Sequence, residues 1–255
     1  MKSSLCESAE QRSKVPEVVL VFWIIKIAAT TLGETGGDAV SMSMNLGYLV
    51  GTALFAALFA IAVTAQVSAK RYHPLLYWTT IIATTMVGTT LADFFDRSLG
   101  IGYAGGASIL FALLVASLTT WYRTMGSISI ATVRTKKTEI FYWVTIMFSQ
   151  TLGTALGDWT ADTAGLGYTK GIVVFTTLLL AVVGAYYRTR ISRTTLFWTA
   201  FILTRPLGAV VGDLLDKPHS SGGLALSRYS ASAVLLTLIL ASLYCFPQRA
   251  AQKCH

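Results

Sequence analysis

Apolar runs long enough to cross a bilayer recur eight times along the chain, over roughly 17–40, 46–69, 75–97, 103–123, 139–162, 168–188, 194–215 and 225–246. Each is close to the ~20 residues that a helix needs to traverse a hydrocarbon core. Several hold Gly, Thr or Asp among the apolar residues, a mixture that soluble core helices of this length rarely show. Pro16 and Pro74 stand just ahead of spans, where the first turn of a helix tolerates proline. The pattern predicts an all-α polytopic membrane protein with eight transmembrane helices.

The runs are related to one another. With Trp23, Trp78, Trp143 and Trp198 placed in register, a glycine follows ten residues later each time: Gly33, Gly88, Gly153, Gly208. Fifteen residues on stands an aspartate: Asp38, Asp93, Asp158, Asp213. Twenty-four residues on stands another glycine: Gly47, Gly102, Gly167, Gly222. The first and third copies share Thr-Leu-Gly, Gly-Asp at the acid and a following Leu-Gly-Tyr, while the second and fourth share Asp-x-x-Asp. The simplest history is a two-span unit duplicated twice. The chain then divides into a tail (1–15), four copies (16–70, 71–126, 127–190, 191–247) and a second tail (248–255). Each copy has an even number of spans, so all four enter the membrane in one direction. Parallel repeats of this kind are related by an axis along the membrane normal, and the expected architecture is a pseudo-fourfold or paired pseudo-twofold bundle.

The Trp/Gly/Asp/Gly register, over residues 16–247, resembles the bacterial membrane-anchored proteins built from four tandem two-span repeats of unknown function. That resemblance implies an eight-span bacterial inner-membrane protein and implies no activity.

Composition agrees with the spans. The residues are 54% hydrophobic and 13% charged, about half the charged share of a soluble domain, which excludes an ordinary cytosolic enzyme. The net charge of +8 is explained by where the bases fall. Fourteen of the twenty Lys and Arg lie in the tails or follow even-numbered spans; Arg97, Lys170, Lys217 and Arg228 lie on the other side, and Lys26 and Arg205 within spans. By the positive-inside rule both termini are cytoplasmic, and no nucleic-acid partner is needed to explain the charge. Residues 1–15 are too polar for a signal-peptide core. Cys6, Cys245 and Cys254 lack metal-ligand spacing and read as free thiols. The register tryptophans read as anchors in the interfacial belt.

Eight of the twelve acids lie in the repeat motif: Glu34, Asp38, Asp93, Asp96, Asp158, Asp162, Asp213 and Asp216. With each Trp at the cytoplasmic interface, fifteen residues at 1.5 Å rise place the aspartate ~22 Å along a core ~30 Å thick. The pairs Glu34/Asp38 and Asp158/Asp162 are four apart, and Asp93/Asp96 and Asp213/Asp216 three apart, so each pair shares a helix face. Two readings are open. These are solvated acids at helix ends, paired with Arg97, Lys170, Lys217 or Arg228; or they converge on a common axis and attract a cation. Carboxylates oppose the macrodipole at a helix C-terminus, and an acid within hydrocarbon usually faces a cavity or the bundle interior.

An oxygen-rich site suits Mg²⁺, Ca²⁺ or Mn²⁺. Met42, four residues after Asp38, offers a thioether that would favour Mn²⁺. Eight carboxylates exceed one ion's needs, so some must be protonated or paired with Lys26 and Arg205, which points to exchange of protons for the ion. Small residues four apart (Gly33/Gly37, Gly88/Ala92, Gly153/Gly157, Gly208/Gly212) let helices approach closely, while Gly36-Gly37 and Pro206 are places where a helix could break. Seven residues after each Trp the copies carry Thr30, Thr85, Gln150 and Arg205, the last either an internal counter-ion when the ion is absent or a structural salt-bridge partner. No Walker A loop, G-x-S-x-G or H-E-x-x-H is present, so no enzyme and no permanently bound cofactor is expected. The reading is a secondary transporter, an exporter of Mn²⁺ in preference to Mg²⁺ or Ca²⁺. Its alternatives are a cation channel with an aspartate selectivity ring and a membrane scaffold whose acids only make salt bridges.

Overall fold

A computed structural model describes residues 13–251; Cys6, Cys254 and the outer parts of both expected tails lie outside the described residues. Eight long helices occur among them: α1 (Leu20–Asp38), α2 (Gly47–Ser68), α3 (Pro74–Asp93), α4 (Tyr103–Met125), α5 (Lys136–Asp158), α6 (Gly167–Arg188), α7 (Arg193–Asp216) and α8 (Arg228–Cys245). No strand accompanies them among the described residues, though Pro16 and Ala250 form an isolated antiparallel bridge. Local signals open and close the helices. Pro74 takes the first turn of α3, Thr135 and Thr138 make a reciprocal capping box on α5, and left-handed Gly126 ends α4.

The odd-numbered helices make a closed ring. α1 packs on α3, α3 on α5, α5 on α7, and α7 returns to α1. The even-numbered helices lie outside, each mainly on the inner helix of the following copy: α2 on α3, α4 on α5, α6 on α7, and α8 on α1. The structural pair is therefore offset by one helix from the sequence repeat. Six helices, α2, α3, α4, α6, α7 and α8, are long and apolar enough to cross a membrane. Inner α3 and α7 are 67% buried over their apolar windows, against 11–22% for the outer four. An apolar shell left exposed around a polar, buried ring is suited to lipid rather than water. α1 and α5 are less apolar because Lys26, Glu34, Glu139 and Gln150 lie on them, and all four side chains are buried.

Fourfold relations run around the ring at successive levels. Below the tryptophans, the aromatic residue before each Trp meets the Trp of the next copy: Phe22–Trp78, Tyr77–Trp143, Tyr142–Trp198 and Phe197–Trp23, with ring centroids 5.4, 5.7, 6.1 and 5.9 Å apart. Trp78, Trp143 and Trp198 are buried and Trp23 half-buried. The expected interfacial belt is thus corrected: these rings fill the bundle's own interior, where large apolar side chains close the space between four helices. One level up, a Cβ on Gly33 would meet Thr85, on Gly88 Gln150, on Gly153 Arg205 and on Gly208 Thr30. The small residues act as the sequence suggested, admitting the neighbouring helix.

Many inner-helix threonines are satisfied within their own helices. Thr30, Thr80, Thr85 and Thr151 bond carbonyls three or four residues back, while Thr35 and Thr145 meet the hydroxyls of Ser232 and Ser117 on outer helices, and the buried Ser149 hydroxyl has no partner. Neither Gly36-Gly37 nor Pro206 breaks its helix. The irregularity comes after the aspartate instead. α1, α3 and α5 each run into a five-residue π-turn immediately following Asp38, Asp93 and Asp158, whereas α7 continues as α-helix to Asp216. The last register glycine of three copies then opens the outer helix with positive φ: Gly47 at 77°, Gly102 at 78°, Gly167 at 68°. A side chain there would be strained, which accounts for the glycine. The fourth loop differs; Gly222 follows a 3₁₀ turn, and α8 starts at Arg228, three residues later than the apolar run suggests.

Replacing Gly88 or Gly208 by Ala puts a Cβ about 3.0 Å or less from neighbouring backbone and should cost ~1–3 kcal/mol by overpacking. Gly184→Ala on outer α6, where a Cβ meets nothing within 4 Å, should match or exceed wild-type stability. Thermal unfolding of the three variants in detergent checks this; equal melting temperatures would contradict the close-packed ring.

Candidate functional site

Above the glycine level, the bundle axis is polar. Eleven residues after the register Trp stand Glu34, Thr89, Thr154 and Ala209, and Arg205 rises from the level beneath to meet them. Its Nη2 lies 3.0 Å from Glu34 Oε2 and within hydrogen-bond distance of the hydroxyls of Thr89 and Thr154. One guanidinium thereby touches a residue of each other copy. Arg205 is completely buried and Glu34 nearly so. Arg205 thus makes the ion pair with an inner acid that both expected roles require. Lys26 does not share it: its ammonium lies 3.4 Å from Gln150 Oε1 and 4.2 Å from the centre of the Phe201 ring.

The four register aspartates come next, all buried. They are organised in two clamps rather than one symmetric ring. Nineteen residues after the Trp, the copies carry Met42, Arg97, Asp162 and Lys217. Arg97 Nε is 3.0 Å from Asp93 Oδ1 in its own copy, and its Nη2 is 3.8 Å from Asp158 Oδ2 in the next. Lys217 Nζ is 3.1 Å from Asp213 Oδ1 in its own copy and 2.6 Å from Asp38 Oδ2 in the next. This is a pseudo-twofold relation laid over the fourfold ring. Arg228 adds to the second clamp, 2.6 Å from Asp216 Oδ2 and 3.7 Å from Asp38 Oδ2. Burial alone would lower the pKa of Lys217, but Asp213, Asp38 and Asp216 outweigh it and hold the ammonium above the ordinary lysine value.

Six of the nine expected ligands, Glu34, Asp38, Asp93, Asp158, Asp213 and Asp216, thus face this network. Three do not. Asp162 is exposed on its π-turn. Asp96 is buried against Gly106 of α4, turned away from the axis, because the π-turn rotates the residues beyond Asp93 off the α-helical face. Met42 is half-buried in the first π-turn at the register position of the two clamp bases. The equivalence of all four copies is likewise corrected: bases stand beside the acids at Arg97 and Lys217, while Lys170 is exposed. Thr89 and Thr154 went unnoticed in the sequence. Their signal is that they share the register of Glu34.

Oxygens from Glu34, Asp38 and Asp213 lie within 4.8 Å of one another and could hold a metal ion. All three residues are at most 2% exposed, and Asp38 Oδ1 has no hydrogen-bond partner. Only the second clamp has this third acid, since Thr154 replaces Glu34 in the first.

A family model described as Repeat of Unknown Function (DUF347) matches four times in tandem, over residues 21–72, 76–127, 141–192 and 196–247. The chain belongs to the DUF347 family. No curated protein and no solved structure matches it. Each DUF347 repeat supplies one inner helix carrying the register Trp and Asp and one outer helix that packs on the next repeat. The site is therefore made jointly by the first and fourth repeats.

The buried Arg205–Glu34 pair sets a stability test. Arg205→Met strands Glu34 without its base and should destabilise the fold by about 3–5 kcal/mol. Adding Glu34→Gln to that variant should restore most of the loss. Thermal unfolding of single and double variants measures it, and a double variant no more stable than the single would argue against the pairing.

Proposed function

We propose that this protein is a secondary transporter of a hard divalent cation, with Mn²⁺ the ion and export the direction. It would sit in the bacterial inner membrane as an eight-span bundle, with its repeats parallel and both termini cytoplasmic. The sorting of bases supports that orientation, and the apolar outer helices support the lipid surround. The reading rests on one observation, the Glu34/Asp38/Asp213 triad, with its three oxygens within 4.8 Å and an unpartnered Asp38 oxygen among them.

The donor set is oxygen only, which suits Mg²⁺, Ca²⁺ and Mn²⁺ over softer metals. Mg²⁺ dehydrates reluctantly, and Ca²⁺ takes six to eight oxygens; a dry triad between two helices favours Mn²⁺ over both. Six carboxylates face four bases, Arg97, Arg205, Lys217 and Arg228. Fully charged, the network has an excess of two negative charges, which one divalent cation or two protons would balance. Exchange of the ion for protons follows from that arithmetic. The aromatic levels favour a carrier over a channel, because tilted and edge-on contacts of Phe22, Tyr77 and Tyr142 with the register tryptophans fill the bundle at that level.

A second reading has its own support. The four bases bind most of the acids already, as a scaffold held by internal salt bridges would. Flux decides between them. In proteoliposomes, wild-type protein should move Mn²⁺ saturably and faster under a pH gradient. Asp38→Asn and Asp213→Asn should each lower the rate about tenfold or more, of the order seen when metal-site partners are lost, and Asp162→Asn should leave it near wild type. Absence of flux for Mn²⁺, Mg²⁺ and Ca²⁺ alike would favour the scaffold.

A further inference from the structure

The two clamps are related by pseudo-symmetry, yet their bases are held differently. Arg97 is braced. Besides Asp93 and Asp158, its Nε lies 3.2 Å from the Tyr103 hydroxyl and its Nη1 3.2 Å from the Tyr48 hydroxyl, both on outer helices. A planar guanidinium with several fixed donors suits such a brace. Lys217 is tethered more simply. It caps the C-terminus of α7, directly before Pro218, and its ion pairs are with the carboxylates of Asp38 and Asp213. Its ammonium is a compact point charge on a flexible stem, and nearby Asp216, held by Arg228 through Oδ2, keeps Oδ1 without a hydrogen-bond partner.

The position of that ammonium is the informative feature. It lies 2.6 Å from Asp38 and 3.1 Å from Asp213, and these are two of the three acids of the triad. An ion coordinated by the same carboxylates would take the space and the lone pairs that Lys217 now uses. The fully buried Asp38 retains one oxygen with no partner, so a single ammonium leaves the site's donor capacity unfilled. The fourth copy also has no π-turn and carries the loop that departs from the repeat. At the register position that holds Arg97 in the second copy, the fourth holds Lys217.

We infer that the Lys217 ammonium is a tethered stand-in for the transported cation: it occupies the triad in the ion-free protein, is displaced toward Asp216 when the ion binds, and returns to expel it. This deepens the transport reading and rests on it. A tethered competitor lowers apparent affinity by the fraction of time the site is blocked, and it speeds release by refilling the oxygens. Lys217 is then what makes the site a carrier rather than a sink.

The test is Mn²⁺ binding by full-length protein in lipid nanodiscs, read by loss of the free-ion EPR signal. Lys217→Gln should bind Mn²⁺ about tenfold tighter or more than wild type, with lowered kcat and KM for Mn²⁺ flux. Lys217→Arg should stay near wild-type affinity, and Arg97→Gln should not tighten binding. In wild-type protein, reductive methylation of Lys217, read by mass spectrometry, should rise severalfold when Mn²⁺ is added; this arm does not depend on a variant folding. Equal affinity in wild type and Lys217→Gln, or methylation unchanged by Mn²⁺, overturns the inference while Asp38→Asn-sensitive binding leaves the transport reading standing. No saturable binding in either protein overturns the transport reading and this inference with it.

Discussion

The constraint on which the rest of the structure depends is the approach of the four inner helices, glycine against the side chain of the next helix. Gly33, Gly88, Gly153 and Gly208 each admit the residue seven positions after the neighbouring tryptophan. Had these positions carried side chains, the helices would stand apart, and the axis would widen beyond the reach of one guanidinium. Because they do not, Arg205 reaches Glu34, Thr89 and Thr154 together. The cost of burying that charge is met only if the geometry is good and the remaining donors are used, and close helix packing supplies the geometry. The carboxylates one turn above are positioned by the same contact.

Symmetry is retained in packing and abandoned in chemistry. Aromatic and glycine levels repeat four times around the ring, since the task of filling space is the same in each copy. The ionisable levels do not: the eleventh position after the tryptophan holds one acid, two threonines and an alanine, and the nineteenth holds two bases, an acid and a thioether. Four identical aspartates facing one another would repel in a low-dielectric interior. Two interleaved bases relieve the repulsion, and the fourfold frame becomes a pair of clamps unlike in their acids and bases.

Much of this was legible in the sequence. The register of Trp23, Gly33, Asp38 and Gly47 with their equivalents identified the four copies, because close packing and a positive φ each demand one residue type and so leave a periodic trace. The polar face of the inner helices was legible in Glu34 and Arg205 for the same reason, there being few charges to place. The tryptophans misled, since a large aromatic at a span's end looks alike whether it meets lipid headgroups or three other helices. The π-turns left no trace at all. They add no characteristic residue, yet they set Asp96 against α4 and Asp162 at the surface, and spacing of three or four therefore placed more acids on the axis than the structure does. Which inner helix each outer helix would cover was not legible either, as an outer helix apolar on all sides names no partner.

That last arrangement bears on ancestry. Because α2 covers α3, α4 covers α5 and α6 covers α7, only α8 is left to cover α1, and the chain's last helix closes against its first. A single two-helix unit, or a tandem pair, carries an inner helix with one flank bare and an outer helix with nothing of its own chain to rest on. Such a forebear could complete the ring only by handing its outer helix to a separate molecule, which would do the same in return. Joining the copies in one chain makes that exchange a connection within it and leaves the two halves free to differ. The unequal clamps, with arginine in one and lysine in the other, are a difference that identical subunits had no means to encode.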